Sequence, residues 1–166
     1  MELVLASTSS IRRKVLTDAK VPFRCLIGEG SEPDPEPGES ARDYVLRAAE
    51  AKATICWESH HKSEDLSQSL ILGCDQVVNF RGKILRKVKD SQSAVDRLMA
   101  FSEEDHELVN GLVMIENGQV VVRRNEIVTL RCRPLARIQI ERYVEREQPY
   151  SSVACYFLEG EGIKLI

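Results

Sequence analysis

Residues 2 to 6, ELVLA, form the short apolar run that a buried strand requires. The Ser7-Thr8-Ser9-Ser10 cluster behind them supplies helix N-caps ahead of IRRKVLTDAK, so the pattern predicts strand, tight turn, helix. VPFRCLIG, residues 21 to 28, reads as a second strand. Pro33, Pro35 and Pro37 then crowd GEGSEPDPEPGES too closely for regular structure, which makes it an acidic loop. From Ser40, a potential cap, Tyr44, Val45, Ala48 and Ala51 or Ala53 recur on one helical face and predict a helix to about Trp57. SLILGCDQVVNF is a continuous apolar run interrupted only by Asp75-Gln76, and RGK turns the chain toward KILRK. Ser91 is placed to cap a helix through Phe101, and the apolar bias around the Asn117-Gly118 turn predicts a long β-hairpin closed at Pro134. A last helix, roughly 136 to 146, leads into QPYSSVACYFLEGEGIKLI, which reads as a glycine-bearing loop and a final strand. Alternating strands and helices of this kind indicate an α/β fold.

With 166 residues, 43% of them hydrophobic, the chain can bury one substantial core, and a single domain is expected. A net charge of -3 and a pI near 5.7 provide no overall basic field, which argues against nucleic acid as a partner. Cys25, Cys56, Cys74, Cys132 and Cys155 are dispersed, with no CxxC pair, and read as reduced intracellular thiols. No apolar stretch approaches the roughly 20 residues of a membrane span. A cytoplasmic protein without a membrane partner is the expectation.

Two places carry candidate chemistry. Ser7, Ser10, Arg12 and Arg13 stand where a strand gives way to a helix, so hydroxyls, free backbone N–H groups and two guanidinium groups can converge on an anion such as a polyphosphate. The alternative is a capped surface helix with two solvated arginines. Asp75 breaks a buried run, and its charge costs several kcal/mol if unpaired. A divalent metal, a lysine or a water awaiting deprotonation would compensate it; otherwise the residue ends its strand in solvent. Glu32 lies in the acidic loop with Asp34, Glu36 and Glu39, any of which could join Asp75 and phosphate oxygens around a divalent cation. Taken alone, that loop reads as a solvated, flexible charge run. Lys52 and Lys87 are candidate phosphate ligands, although such lysines commonly lie along the surface. His60, His61 and His106 lack the partners of a zinc site and read as surface or structural groups.

The order LVLASTSSIRRKVL, Glu32 in a proline-rich loop, GES…YVLRAAEAKA, GCDQVV, GKILRK, His106…Gly111 and EGEGIKLI resembles the Maf family of nucleotide pyrophosphatases along nearly the whole chain. The resemblance implies an elongated, twisted mixed sheet flanked by helices, with two lobes and a central cleft, as in the inosine triphosphatase group. It implies hydrolysis of a nucleoside triphosphate to the monophosphate and pyrophosphate, assisted by a divalent cation (Mg, Mn or Co). Asp75 is thereby assigned as proton acceptor, Ser7, Ser10, Arg12, Arg13, Lys52 and Lys87 as the phosphate path, and Glu32 with Asp75 as metal support. Ile11, Gln76 and Glu159 fall at the base-selecting positions. Gln76 with Glu159 is similar to the 7-methyl-GTP branch, in which a carboxylate accepts from guanine N1–H and the exocyclic amine. Ile11 stands where that branch usually carries Trp, and Arg86, Val88, Glu103, Asn110 and Ala154 also depart from the family pattern. Relative to that pattern the chain, read as one Maf-like domain over 1–166, stops before a usual C-terminal segment. The family also implies a possible homodimer, and its link to septum formation suggests the alternative of a catalytically impaired nucleotide-binding or cell-division regulatory protein.

Overall fold

β1 (Glu2–Leu5) buries Val4 and Leu5 completely, as its apolar run requires. In the computed structural model, which describes residues 1–166, it pairs in parallel with β2 (Phe23–Cys25) on one side and with β3 (Ser69–Phe80) on the other. Parallel neighbours need crossover connections, and α1 (Ser10–Asp18) and α2 (Ala41–His60) supply them. β2 is shorter than the expected 21 to 28. Pro22 has no N–H to give to a ladder, and Gly28 lies so close under α2 that a Cβ there would overlap the Ile55 carbonyl.

The sheet has six strands in the order β2, β1, β3, β5 (Asp105–Glu116), β6 (Gln119–Arg131), with β4 (Lys83–Leu85) pairing antiparallel to β3. The chain folds as two compact units, residues 1–75 with 110–126 and residues 76–109 with 127–166. In the first, Val4, Ala49, Ala53, Cys56, Ile71 and Val113 form a core between α2 and the strands. Gly73 and Gly111 let the α2 backbone approach closely, since a Cβ on either would collide with the carbonyl oxygen of Ala49 or Val45.

The second unit packs α3 (Ser91–Phe101) and α4 (Arg137–Glu147) around Val78, Leu98, Phe101, Ile140 and Tyr156. The hairpin turn is as expected, with Asn117 and Gly118 at φ of 49° and 77°. Two expectations change here. α3 is capped by Asp90, whose carboxylate accepts from the Ser93 N–H at 2.8 Å, so Ser91 is already inside the helix. The expected last strand does not form: after α4 the chain makes short 3₁₀ turns at Pro149–Ser151 and Glu161–Leu165. Gly162 packs against the backbone of Phe157, which folds this segment onto itself and away from any ladder.

Candidate functional site

β1 ends at Leu5, and the Ala6 N–H still donates to the Leu72 carbonyl at 2.9 Å, so Ser7 emerges beside the part of β3 that leads into Asp75. α1 and α2 pack against different residues of these strands, Leu16 of α1 with Leu5 and Leu72, and Ala49 and Ala53 of α2 with Val4 and Ile71. Ser7 is buried, and its Oγ accepts from the Ser9 N–H and from Arg12 Nη1, each at 3.2 Å. Ser9 is the α1 cap, accepting from the Arg12 N–H at 3.3 Å. Ser10 starts the helix in an exposed position. Arg13 donates to the Thr8 carbonyl at 2.7 Å, and Ile11 is 41% exposed. The first turn of α1 contains no acid, which leaves its N-terminal dipole end unopposed.

Asp75 lies within β3 rather than at its end, and its side chain is only 12% exposed. A carboxylate so placed needs a cation. Lys52 on α2 supplies it: Nζ is 2.6 Å from Asp75 Oδ1, 3.2 Å from Glu32 Oε2, and donates to the Cys74 carbonyl at 3.4 Å. Lys52 is therefore not a surface lysine; it is 15% exposed and joins strand, helix and acidic loop. Burial raises the pKa of the neighbouring Cys74 thiol, while the charges of Arg12 and Lys52 both oppose that rise and Asp75 adds to it. Both cationic groups thus act on the same stretch of β3.

The acidic loop is anchored, contrary to the expectation of a flexible run. Arg47 of α2 grips Glu39 with Nε at 2.7 Å and Nη2 at 2.6 Å, and the same Nη2 donates to the Asp34 carbonyl at 2.9 Å. Glu36 adds an ion pair at 3.8 Å, and the Tyr44 hydroxyl donates to the Pro33 carbonyl at 3.3 Å. The Arg47 hydrogen bonds hold the Glu39 carboxyl below its ordinary range. Ser9 caps α1 as the Ser7–Ser10 cluster indicates, and Tyr44 is buried as its helical spacing indicates, but the sequence does not mark Arg47 or the loop contact of Tyr44. Tyr44 and Arg47 lie three residues apart on one helix face, but only the fold shows what they reach.

Gln76, Lys87 and Glu159 belong to the second unit. Gln76 directly follows Asp75 in β3, Lys87 is exposed after β4, and Glu159 is exposed ahead of the last 3₁₀ turn. The structure thus gathers Ser7 with Arg12, and Asp75 with Lys52 and Glu32, in the first unit, while those three residues stand on separate elements of the second. His106 is buried and structural, its ring stacked on Phe101 at 4.3 Å and its Nε2 2.7 Å from the Tyr156 hydroxyl. No group of three or more His, Cys, Asp or Glu side chains assembles a metal cage. Glu32 and Asp75, hard oxygen donors sharing one ammonium, fit a divalent cation that takes its remaining ligands from a substrate. No helix is long and apolar enough to cross a membrane.

The Maf-like protein family model matches residues 2–166. The chain belongs to the Maf family. It is 36% identical over 167 residues to a 7-methyl-GTP pyrophosphatase of Vibrio vulnificus, covering 99% of this chain and 81% of that protein. It is 30% identical over 166 residues to a dTTP/UTP pyrophosphatase of Clostridium botulinum, covering 96% and 81%. Maf relatives thus include nucleoside triphosphate pyrophosphatases of more than one base preference. Among solved structures it is similar to a HAM1 protein from Coxiella burnetii, 16% identical with a TM-score of 0.45 over 82% of this chain and 74% of that one.

Proposed function

We propose that this Maf chain hydrolyses a nucleoside triphosphate to the monophosphate and pyrophosphate. The observation that carries the reading is the Lys52 ammonium lying between the carboxylates of Asp75 and Glu32, beside the strand end that bears Ser7. Ser7, Ser10, Arg12, Arg13 and the α1 N-terminus bind the triphosphate; the family resemblance gives Lys87 a phosphate-binding role as well. Asp75 accepts a proton from water as the water oxygen bonds to phosphorus and the anhydride between the α and β phosphoryl groups breaks; the electron pair leaves with pyrophosphate. Lys52 orients Asp75 and offsets charge on the phosphoryl oxygens. A divalent cation held by Glu32, Asp75 and substrate oxygens would supply further neutralisation of that charge.

The substrate class we favour is a 7-methyl-GTP-like purine nucleotide. Support comes from Gln76 and Glu159 at the base-selecting positions, where the carboxylate suits both the guanine edge and a cationic methylated ring, and from the relatives of that name. Ile11 offers an aliphatic surface at the third such position.

The test is pyrophosphate release from canonical and 7-methylated triphosphates with Mg²⁺, Mn²⁺ or Co²⁺. Release is expected, and Asp75→Asn should lower it by about 10²- to 10⁴-fold. A purified, folded protein that releases none from any member of the panel would overturn the reading.

A further inference from the structure

The acids that the proposed chemistry uses do not sit on equally rigid supports. Asp75 is fixed by β3, but Glu32 is half exposed in a loop that makes neither helix nor strand. Its position opposite Lys52 therefore depends on what holds that loop. The residue immediately after Glu32 is Pro33, whose carbonyl accepts from Tyr44, and the next backbone carbonyl, that of Asp34, accepts from Arg47. Arg47 then closes the far end of the loop through both oxygens of Glu39, while the Glu36 N–H donates to Glu39 Oε2 at 2.9 Å. Pro33, Pro35 and Pro37 fix the intervening φ angles, so a tie at Asp34 and Glu39 is transmitted to Glu32. The same helix carries Arg47 and Lys52 five residues apart, about 7.5 Å along the axis at 1.5 Å per residue.

We infer that Arg47 is a positioning residue that sets Glu32 against Lys52 by clamping the proline-rich loop to α2. The inference rests on the hydrolytic reading above and deepens it. Arg47 touches no substrate; it acts through Glu32. Planar guanidinium geometry matters, because two parallel bonds to Glu39 and a third contact to the Asp34 carbonyl leave no free rotation, which an ammonium would restore.

The test is a double-mutant cycle between Arg47→Met and Glu32→Gln, with kcat and KM measured at saturating Mn²⁺ and melting temperatures followed in parallel. Arg47→Met is expected to lower kcat by about 10- to 100-fold while KM changes little, the range a misplaced catalytic group produces. Added to Glu32→Gln, it should cost less than about twofold more, because the group it positions is already gone. Glu39→Gln should reproduce the Arg47→Met phenotype, and Arg47→Lys should recover only part of kcat. A full multiplicative loss in the Glu32→Gln background, or a kcat loss that follows melting temperature alone, overturns the inference. If the wild-type protein proves inactive, the hydrolytic reading fails separately. The same cycle read by calorimetric Mn²⁺-nucleotide affinity then still decides the role of Arg47: coupling to Glu32 sustains it, and additivity overturns it.

Discussion

At the residue scale, Asp75 and His106 are two ionisable groups taken out of water and satisfied to different degrees. Asp75 in the sequence calls for a metal, a lysine or a water, or else an end of its strand in solvent, and Lys52 is the group that meets it. His106 is the opposite case: it is buried, and its Nδ1 has no hydrogen-bond partner. Burial lowers its pKa from the ordinary 6.5, with the charge of Asp105 opposing the change only in part. In the unfolded chain the imidazole takes up its proton near 6.5, while the folded protein resists it. The contribution to stability is therefore complete above about pH 6.5 and is lost as pH falls toward the folded value. Urea midpoints measured from pH 8 to pH 5 should decline across that window, and the decline should flatten in His106→Asn. A decline unchanged in that variant would mean that other groups govern it. The sequence marks His106 only as a surface or structural group, because a lone histidine at the start of an apolar strand carries no sign of a hydrogen-bond partner, Tyr156, fifty positions later.

At the element scale, α2 organises the first unit. One face buries Tyr44, Val45, Ala48, Ala49, Ala53 and Cys56, as the helical spacing of the sequence indicates, and the edges of that face carry Arg47 and Lys52. Its closeness to the strands depends on glycine. Gly73→Ala would place a methyl group on the Ala49 carbonyl, and overpacking of this kind costs about 1–3 kcal/mol. Since the displaced turn also holds Lys52, pyrophosphate release should fall by more than the stability loss explains. Gly160→Ala, where a Cβ meets nothing nearer than 3.6 Å, should be close to neutral in both melting temperature and turnover. Helix and strand positions were legible because burial imposes its period on the residues. The anchoring of the acidic loop was not, since an Arg–Glu pair eight residues apart has no period. The final segment was misread because apolar residues that pack against their own backbone look, in sequence, like those of a strand.

At the scale of the whole molecule, each unit has its own apolar core, yet β3, β5 and β6 each run through residues of both. Chains that share strands in this way are expected to unfold together. Trp57, the single tryptophan, lies in the first unit, so its fluorescence reports that unit alone. Leu98→Ala in the second core should cost about 2–5 kcal/mol and shift the Trp57 transition to the same denaturant concentration as the circular dichroism transition. Separate midpoints would show two independent folding units. The sheet also leaves β6 on its outer side with no further strand beyond it. Val120, Val121 and Val128 are exposed there, a composition that invites another chain to add on, but Arg123, Arg124, Glu126 and Arg131 are interspersed among them. These charges act as gatekeepers: the strand keeps an open backbone edge in water, while a neighbouring molecule that adds to it would have to strip hydration from them and disturb the ion pairs of Arg123 with Glu50 and of Arg131 with Asp105.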